Sequence, residues 1–164
     1  MLLISRSPNM TIDRDQKSGL FIVSYNVNKP GQAGGLNLRL DLTVYTPSRH
    51  ITGRATITHA TLQPLVFEHP IQGRYEEQGR DIELHLVGAP RLHEQHAQNQ
   101  AHAAGHALLE QFFFDGQLKD GWQAGNNSKA RYAFFQNQQW HEQLGQEVRL
   151  ADEINNAIKA LNLR

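Results

Sequence analysis

The sequence predicts an all-β protein of about eight mainly antiparallel strands, a barrel or a two-sheet sandwich, with one C-terminal amphipathic α-helix. Three observations carry this expectation. Leu36 to Val44 read LNLRLDLTV. That strict alternation puts Leu36, Leu38, Leu40, Leu42 and Val44 on one face of a strand. Similar β-rich runs recur between Gly, Pro and Asn turn signals. The last stretch, VRLADEINNAIKALNLR, instead spaces Leu150, Ile154, Ala157, Ile158 and Leu161 as a helix does.

The chain has 164 residues, 39% hydrophobic and 20% charged, enough for one domain with a genuine core. Sixteen basic residues balance sixteen acidic ones, interspersed along the chain. Such a chain has no general attraction for nucleic acid, and no nucleic-acid partner is expected. It has no cysteine, which excludes disulfides and thiolate zinc sites. The apolar start of MLLISRSPNM is shorter than the roughly 7–15 residues of a secretory core. No run approaches the roughly 20 apolar residues of a membrane helix, so no transmembrane segment is expected. The expected location is the cytoplasm, or outside the cell by a route that needs no signal peptide.

The elements follow in order. Residues 1–17 are polar and aperiodic and read as an N-terminal arm; residues 18–145 read as the β domain. In GLFIVSYNV, Phe21, Val23, Tyr25 and Val27 share a face, with Leu20 and Ile22 on the other, so this strand is expected to be covered on both sides. NKPGQAGG is a loop leading to the strand Leu36–Tyr45. In ITGRATITHAT, Ile51, Gly53, Ala55, Ile57 and His59 form the inward set, whose small middle leaves room for a large neighbour or a ligand. Leu65–Tyr75 is the next strand, and Pro70 within it marks an edge or bulge. Ile82, Leu84 and Leu86 mark a short strand. Residues 88–106, rich in His, Gln and Ala, read as a long loop. Strand resumes over Ala107–Phe114, and Lys129–Phe135 and Trp140–Leu144 form a hairpin around Asn137 to Gln139. Residues 146–164 are the expected helix, docked on the β domain, with Asp152 and Glu153 early and Lys159 and Arg164 late, as the helix dipole favours.

The segments GLFIVSYNV, PGQAGG and LRLDLTVYTPSRHITGRATITHATLQPL, with Trp122-Gln123 and ARYAFFQNQQWHE further on, resemble a bacterial family known as domain of unknown function eighteen forty-two. The resemblance covers most of the β domain. It implies a small bacterial β domain and brings no catalytic residues with it.

Candidate chemistry is sparse. His93, His96, His102 and His106 have metal-like spacings, and His102 and His106 would share a face if helical. They lie in a biased tract, where solvated histidines bind metal adventitiously, and HExxH is absent. No physiological metal and no cofactor are expected. No nucleophile elbow, carboxylate pair or phosphate-binding Gly loop is present. His59, on the expected inward face, is the one candidate for a specific polar site. Tyr25, Tyr75 and Trp122 are its candidate partners in lining a ligand site at a barrel mouth.

These features favour a non-enzymatic binding module for a protein, glycan or lipid. A second reading is a component of a bacterial toxin or interbacterial system that binds a target surface. A third is a small barrel enzyme that acts on an apolar substrate with His59 as acid or base. A homo-oligomer is allowed by all three.

Overall fold

The structure is a computed structural model, and it describes residues 19–31, 34–59, 64–90 and 111–151. Eight antiparallel strands run in sequence order and close into a barrel. They are β1 (Leu20–Asn28), β2 (Leu36–Tyr45), β3 (His50–His59), β4 (Leu65–Gln78), β5 (Asp81–Gly88), β6 (Phe112–Leu118), β7 (Lys129–Gln136) and β8 (Gln139–Leu150). Of the two architectures expected, the barrel is therefore the one formed.

The core follows from the period of two. Leu38, Leu40, Leu42 and Val44 of β2 are buried, as are Phe21, Val23, Tyr25 and Val27 of β1. The remaining strands add Ile51, Ala55 and Ile57, then Phe67 and Ile71, then Leu84 and Leu86, then Phe112, Phe114, Tyr132 and Phe134. Side chains from all the strands meet on the axis, so the interior is a packed core like those of other small barrels.

The β2–β3 ladder is the longest unbroken one, pairing Leu36 with His59 through Tyr45 with His50. The small middle of β3 has a different cause from the one expected. A Cβ at Gly53 would fall on the Asp41 carbonyl oxygen of β2, and one at Gly73 of β4 on the His85 carbonyl oxygen of β5. These glycines let neighbouring backbones approach where the sheet bends to close. They do not make room for a ligand.

Pro70 behaves as expected. Its carbonyl accepts from Ala89 N at 2.8 Å, so its own nitrogen also faces that side, past the end of β5, and no ladder donor is lost. The hairpin joining β7 to β8 turns on two residues, Asn137 and Gln138, both with positive φ (54° and 66°). This is the type I′ geometry whose twist matches the flanking strands.

Three expectations are corrected. Residues 146–150 are strand and not the start of a helix: Val148 pairs with Val27 and Leu150 with Tyr25. Closing the barrel needs a last partner for β1, and this tertiary demand overrides the local helical spacing. Leu20 and Ile22 are 54% and 75% exposed, so the outer face of β1 is not covered there. His59 is exposed and not inward, because β3 ends there and the β3–β4 register slips after Ile57. The arm at 1–17, the tract holding His93, His96, His102 and His106, and residues 152–164 of the expected helix lie outside the described residues.

The interior predicts a clear mutational order. Leu40→Ala should cost about 2–5 kcal/mol, the usual range for a fully buried leucine. Gly53→Ala should cost at least as much, although it only adds a methyl group, because β2 and β3 must separate. Urea denaturation of both variants checks this. A Gly53→Ala variant within about 0.5 kcal/mol of the parent, as at an ordinary surface site, would contradict the close-approach explanation.

Candidate functional site

Three of the expected site residues meet, but at a closed end. Trp122 lies in the loop between β6 and β7. Its ring packs edge-on against Phe21 at 5.1 Å and Tyr75 at 4.8 Å. The Tyr25 hydroxyl donates to the Trp122 carbonyl at 2.5 Å. Trp122, Tyr75 and Tyr25 are all buried, so they plug this end of the barrel. Burial pushes both tyrosine hydroxyls above their ordinary values; at Tyr75 the Glu77 carboxylate adds to the effect and Arg49 opposes it.

The loop carrying Trp122 is held by polar bonds. Asp81, at the start of β5, accepts from Asp120 N at 3.1 Å and from Lys119 Nζ at 3.2 Å. The Ser128 hydroxyl accepts from Lys119 N at 2.9 Å and donates to the Gly125 carbonyl at 2.7 Å. The Asp120 amide, then the Lys119 hydrogen bond, hold the Asp81 carboxyl below its ordinary value. A depressed carboxylate stabilises the fold above its unfolded value, and the effect is lost as pH falls through the folded value.

The other end of the barrel holds polar groups that the sequence did not single out. Phe67 stacks on His69 with centroids 5.9 Å apart and packs against Phe134 at 5.2 Å and Phe112 at 6.3 Å. His69 Nδ1 lies 2.7 Å from the Pro70 carbonyl. A carbonyl only accepts, so Nδ1 carries the proton. His69 Nε2 and the Tyr132 hydroxyl are buried with no hydrogen-bond partner among the described residues. Burial pushes the Tyr132 hydroxyl well above its ordinary value. The alternation of β4 and β7 puts both residues inside, but alternation alone does not distinguish an orphaned group from a satisfied one.

His59 ends β3 at this second end of the barrel, but it is exposed and outside the packed interior. It lines an open groove of about 720 Å³ on the outer face of β1, β2 and β3, with the β1–β2 loop on one side. The outward side chains Asn26, Asn28, Asn37, Thr56 and Thr58 line the same groove. Asn28 Nδ2 donates to Asn37 Oδ1 at 2.9 Å, which orients both amides. Lys29, Arg39 and Arg149 complete the lining with positive charge. Arg39 Nε donates to Asp41 at 3.0 Å and Arg149 Nε to Glu147 at 2.7 Å. Neither carboxylate is among the groove-lining residues. His59 is thus set apart from Tyr25, Tyr75 and Trp122, which the barrel body separates from the groove.

Among the described residues, no three His, Asp or Glu side chains are placed to hold a metal ion. Among the same residues, no helix is long and apolar enough to cross a membrane. The groove can therefore offer hydrogen-bond donors, acceptors and positive charge. Among the described residues, the interior offers packing and two buried polar atoms without a hydrogen-bond partner.

The Asp81 tether predicts a specific acid response. The unfolding midpoint should fall as pH drops through and below the ordinary carboxylate range. Asp81→Asn should flatten that fall and shift Trp122 emission to the red at neutral pH. An Asp81→Asn variant with an unchanged midpoint-against-pH curve would remove the tether from the explanation.

No curated protein matches the chain closely enough to count as a relative. A family model, Domain of unknown function (DUF1842), matches residues 18–140. The match runs from just before β1 to the second residue of β8 and takes in β1, β2 and β3, which line most of the groove. The chain belongs to this family of unknown function.

Proposed function

We propose that this protein is a non-enzymatic binding module whose recognition surface is the outer groove beside His59, and that its ligand is an acidic glycan. The observation that supports this most is the groove's chemistry: asparagine amides, threonine hydroxyls, His59 and three basic side chains, with no carboxylate in the lining. Sugar hydroxyls need many donors and acceptors at once, and a uronic or similar acid group finds complementary charge in Lys29. A lipid would need a mainly apolar lining, whereas here Leu36 and Pro30 are set among polar and basic side chains.

The filled interior supports the same reading. An enzyme that takes an apolar substrate into the barrel would need a cavity bordered by His59. His59 lies instead on the outside, and the axis is occupied by side chains such as Tyr25, Leu40 and Phe112. A role as a toxin-associated or interbacterial surface binder uses the same groove and differs only in where the glycan sits.

Calorimetry with oligogalacturonate and its methyl ester tests the reading. The acid form should bind, the neutral ester about tenfold or more weakly, and the affinity should fall with salt. Lys29→Ala and His59→Ala should weaken binding of the acid form without changing the melting temperature. Equal binding of acid and ester, or no binding of either, would reject an acidic glycan as the ligand.

A further inference from the structure

The barrel closes through a short seam. β1 and β8 pair over Tyr25–Asn28 and Leu150–Glu147, and Ala151 N donates to Ser24 O at 3.0 Å just beyond. β8 runs on from there for the eight residues Gln139–Gln146, held by β7 on one side. Its other side has no strand partner among the described residues.

The direction of its backbone groups can be read from the neighbouring ladders. Phe135 N donates to Gln111 O, away from β8. In an antiparallel ladder the two neighbours of such a residue point the other way. Phe134 and Gln136 therefore bond to β8, through their partners His141 and Gln139. It follows that Trp140, Glu142 and Leu144 turn their own N–H and C=O groups to the unpaired side. The Leu144 carbonyl accepts from Gln146 Nε2 at 3.0 Å. The amide hydrogens of all three residues, and the carbonyls of Trp140 and Glu142, have no partner among the described residues.

The side chains of the same three residues lie on the outer face. Trp140 and Leu144 are 50% and 56% exposed. Glu142 lies between them, exposed and without an ion-pair partner among the described residues. An unpaired strand edge flanked by apolar side chains is a template for another strand.

We propose that β8 takes up an extended segment of another protein by strand addition, and that this segment carries the pattern apolar–polar–basic–polar–apolar. The apolar side chains would cover Trp140 and Leu144, and the basic one would sit opposite Glu142. The polar residues between them would face His141 and Gln143, whose side chains are half-buried toward the barrel. A second copy of the chain fits less well. Antiparallel self-pairing that sets Trp140 against Leu144 also sets Glu142 against Glu142, and like charges directly opposite are destabilising.

The test uses the full chain and the blocked peptide Thr-Leu-Thr-Lys-Thr-Leu-Thr, followed by calorimetry and Trp140 emission. The peptide should bind. Glu142→Pro should weaken it about tenfold or more at an unchanged melting temperature, since that amide serves only the open edge. Glu142→Gln should lose only the preference for lysine over norleucine in the peptide. Glu142→Lys should favour a peptide with glutamate in place of lysine. Methylating alternate peptide nitrogens should abolish binding in one of the two phases and spare it in the other, which keeps the test valid even if Glu142→Pro folds poorly. No binding, equal binding of both methylated peptides, or equal binding to the parent and Glu142→Pro would overturn the proposal. So would a dimer in solution that Glu142→Pro converts to a monomer, because the edge would then belong to a second copy.

Discussion

The pairing of β1 with β8 is the constraint on which the rest of the structure depends. Every other pair of neighbouring strands in the barrel is consecutive in the sequence, but these two come from opposite ends of the strand order and meet only by closure. Until they pair, the apolar face of the sheet stays open at one side and cannot be fully dried. The seam has four residue pairs, Tyr25–Leu150 to Asn28–Glu147, against ten between β2 and β3. Its shortness follows from stagger. β8 enters the seam late, after Gly145 (φ 62°) and a shift in its register with β7 change which side chains face inward. Gln143 pairs with Tyr132 before the shift, and Gln146 pairs with Ala130 after it. The extra residue marks where pairing with β1 begins; the first half of β8 has no second strand partner among the described residues.

Closure then decides where chemistry can occur. One end is sealed by Trp122 over Phe21 and Tyr75, with the loop fastened through Asp81 and Ser128. The other end is packed by Phe67, Phe112 and Phe134 around His69. An interior filled in this way gains its stability from burial. It leaves two buried polar atoms, His69 Nε2 and Tyr132 Oη, without a hydrogen-bond partner among the described residues. Polar recognition is left to the outer wall, where the asparagines and threonines of β1, β2 and β3 stand beside Lys29 and His59.

Much of the fold was legible because alternation is a strong signal. Leu36–Val44 and Phe21–Val27 read directly as buried faces, and the Asn137–Gln138 turn was marked by its residues. The signal failed at breaks in period. Gly145 interrupts the alternation of β8, so Val148 and Leu150 fell into the helical pattern that follows them. His59 looked inward by parity, yet it is the last residue of its strand, beyond the slip at Ile57. Gly53 looked like space for a ligand, because a missing side chain does not reveal whether a backbone fills its place. Of the groove only His59 was singled out, and as an inward residue. The other lining residues come from the β1–β2 loop and the outward faces of β1, β2, β3 and β8, where each reads as ordinary solvated surface. Tyr25, Tyr75 and Trp122 were named as partners of His59 in lining a ligand site, but their side chains are buried together at the end of the barrel closed by the β6–β7 loop.

The groove and the edge of β8 both adjoin the seam: Asn26, Asn28 and Arg149 of the groove lie on the seam strands, and the edge without a strand partner among the described residues begins where their pairing stops. Cross-linking across the seam tests this closure most directly. Val148 N donates to Ser128 O on the β7 side, so Val27 and Val148 form a non-hydrogen-bonded pair across β1 and β8. Such pairs bring Cα atoms to about 4.5 Å, within disulfide reach. The chain has no native cysteine, so a Val27→Cys, Val148→Cys double variant gives an unambiguous readout. Closure predicts a bond between residues 27 and 148 in mild oxidant, seen by peptide mass spectrometry, and a raised melting temperature. Two thiols that stay free in a folded protein would contradict it.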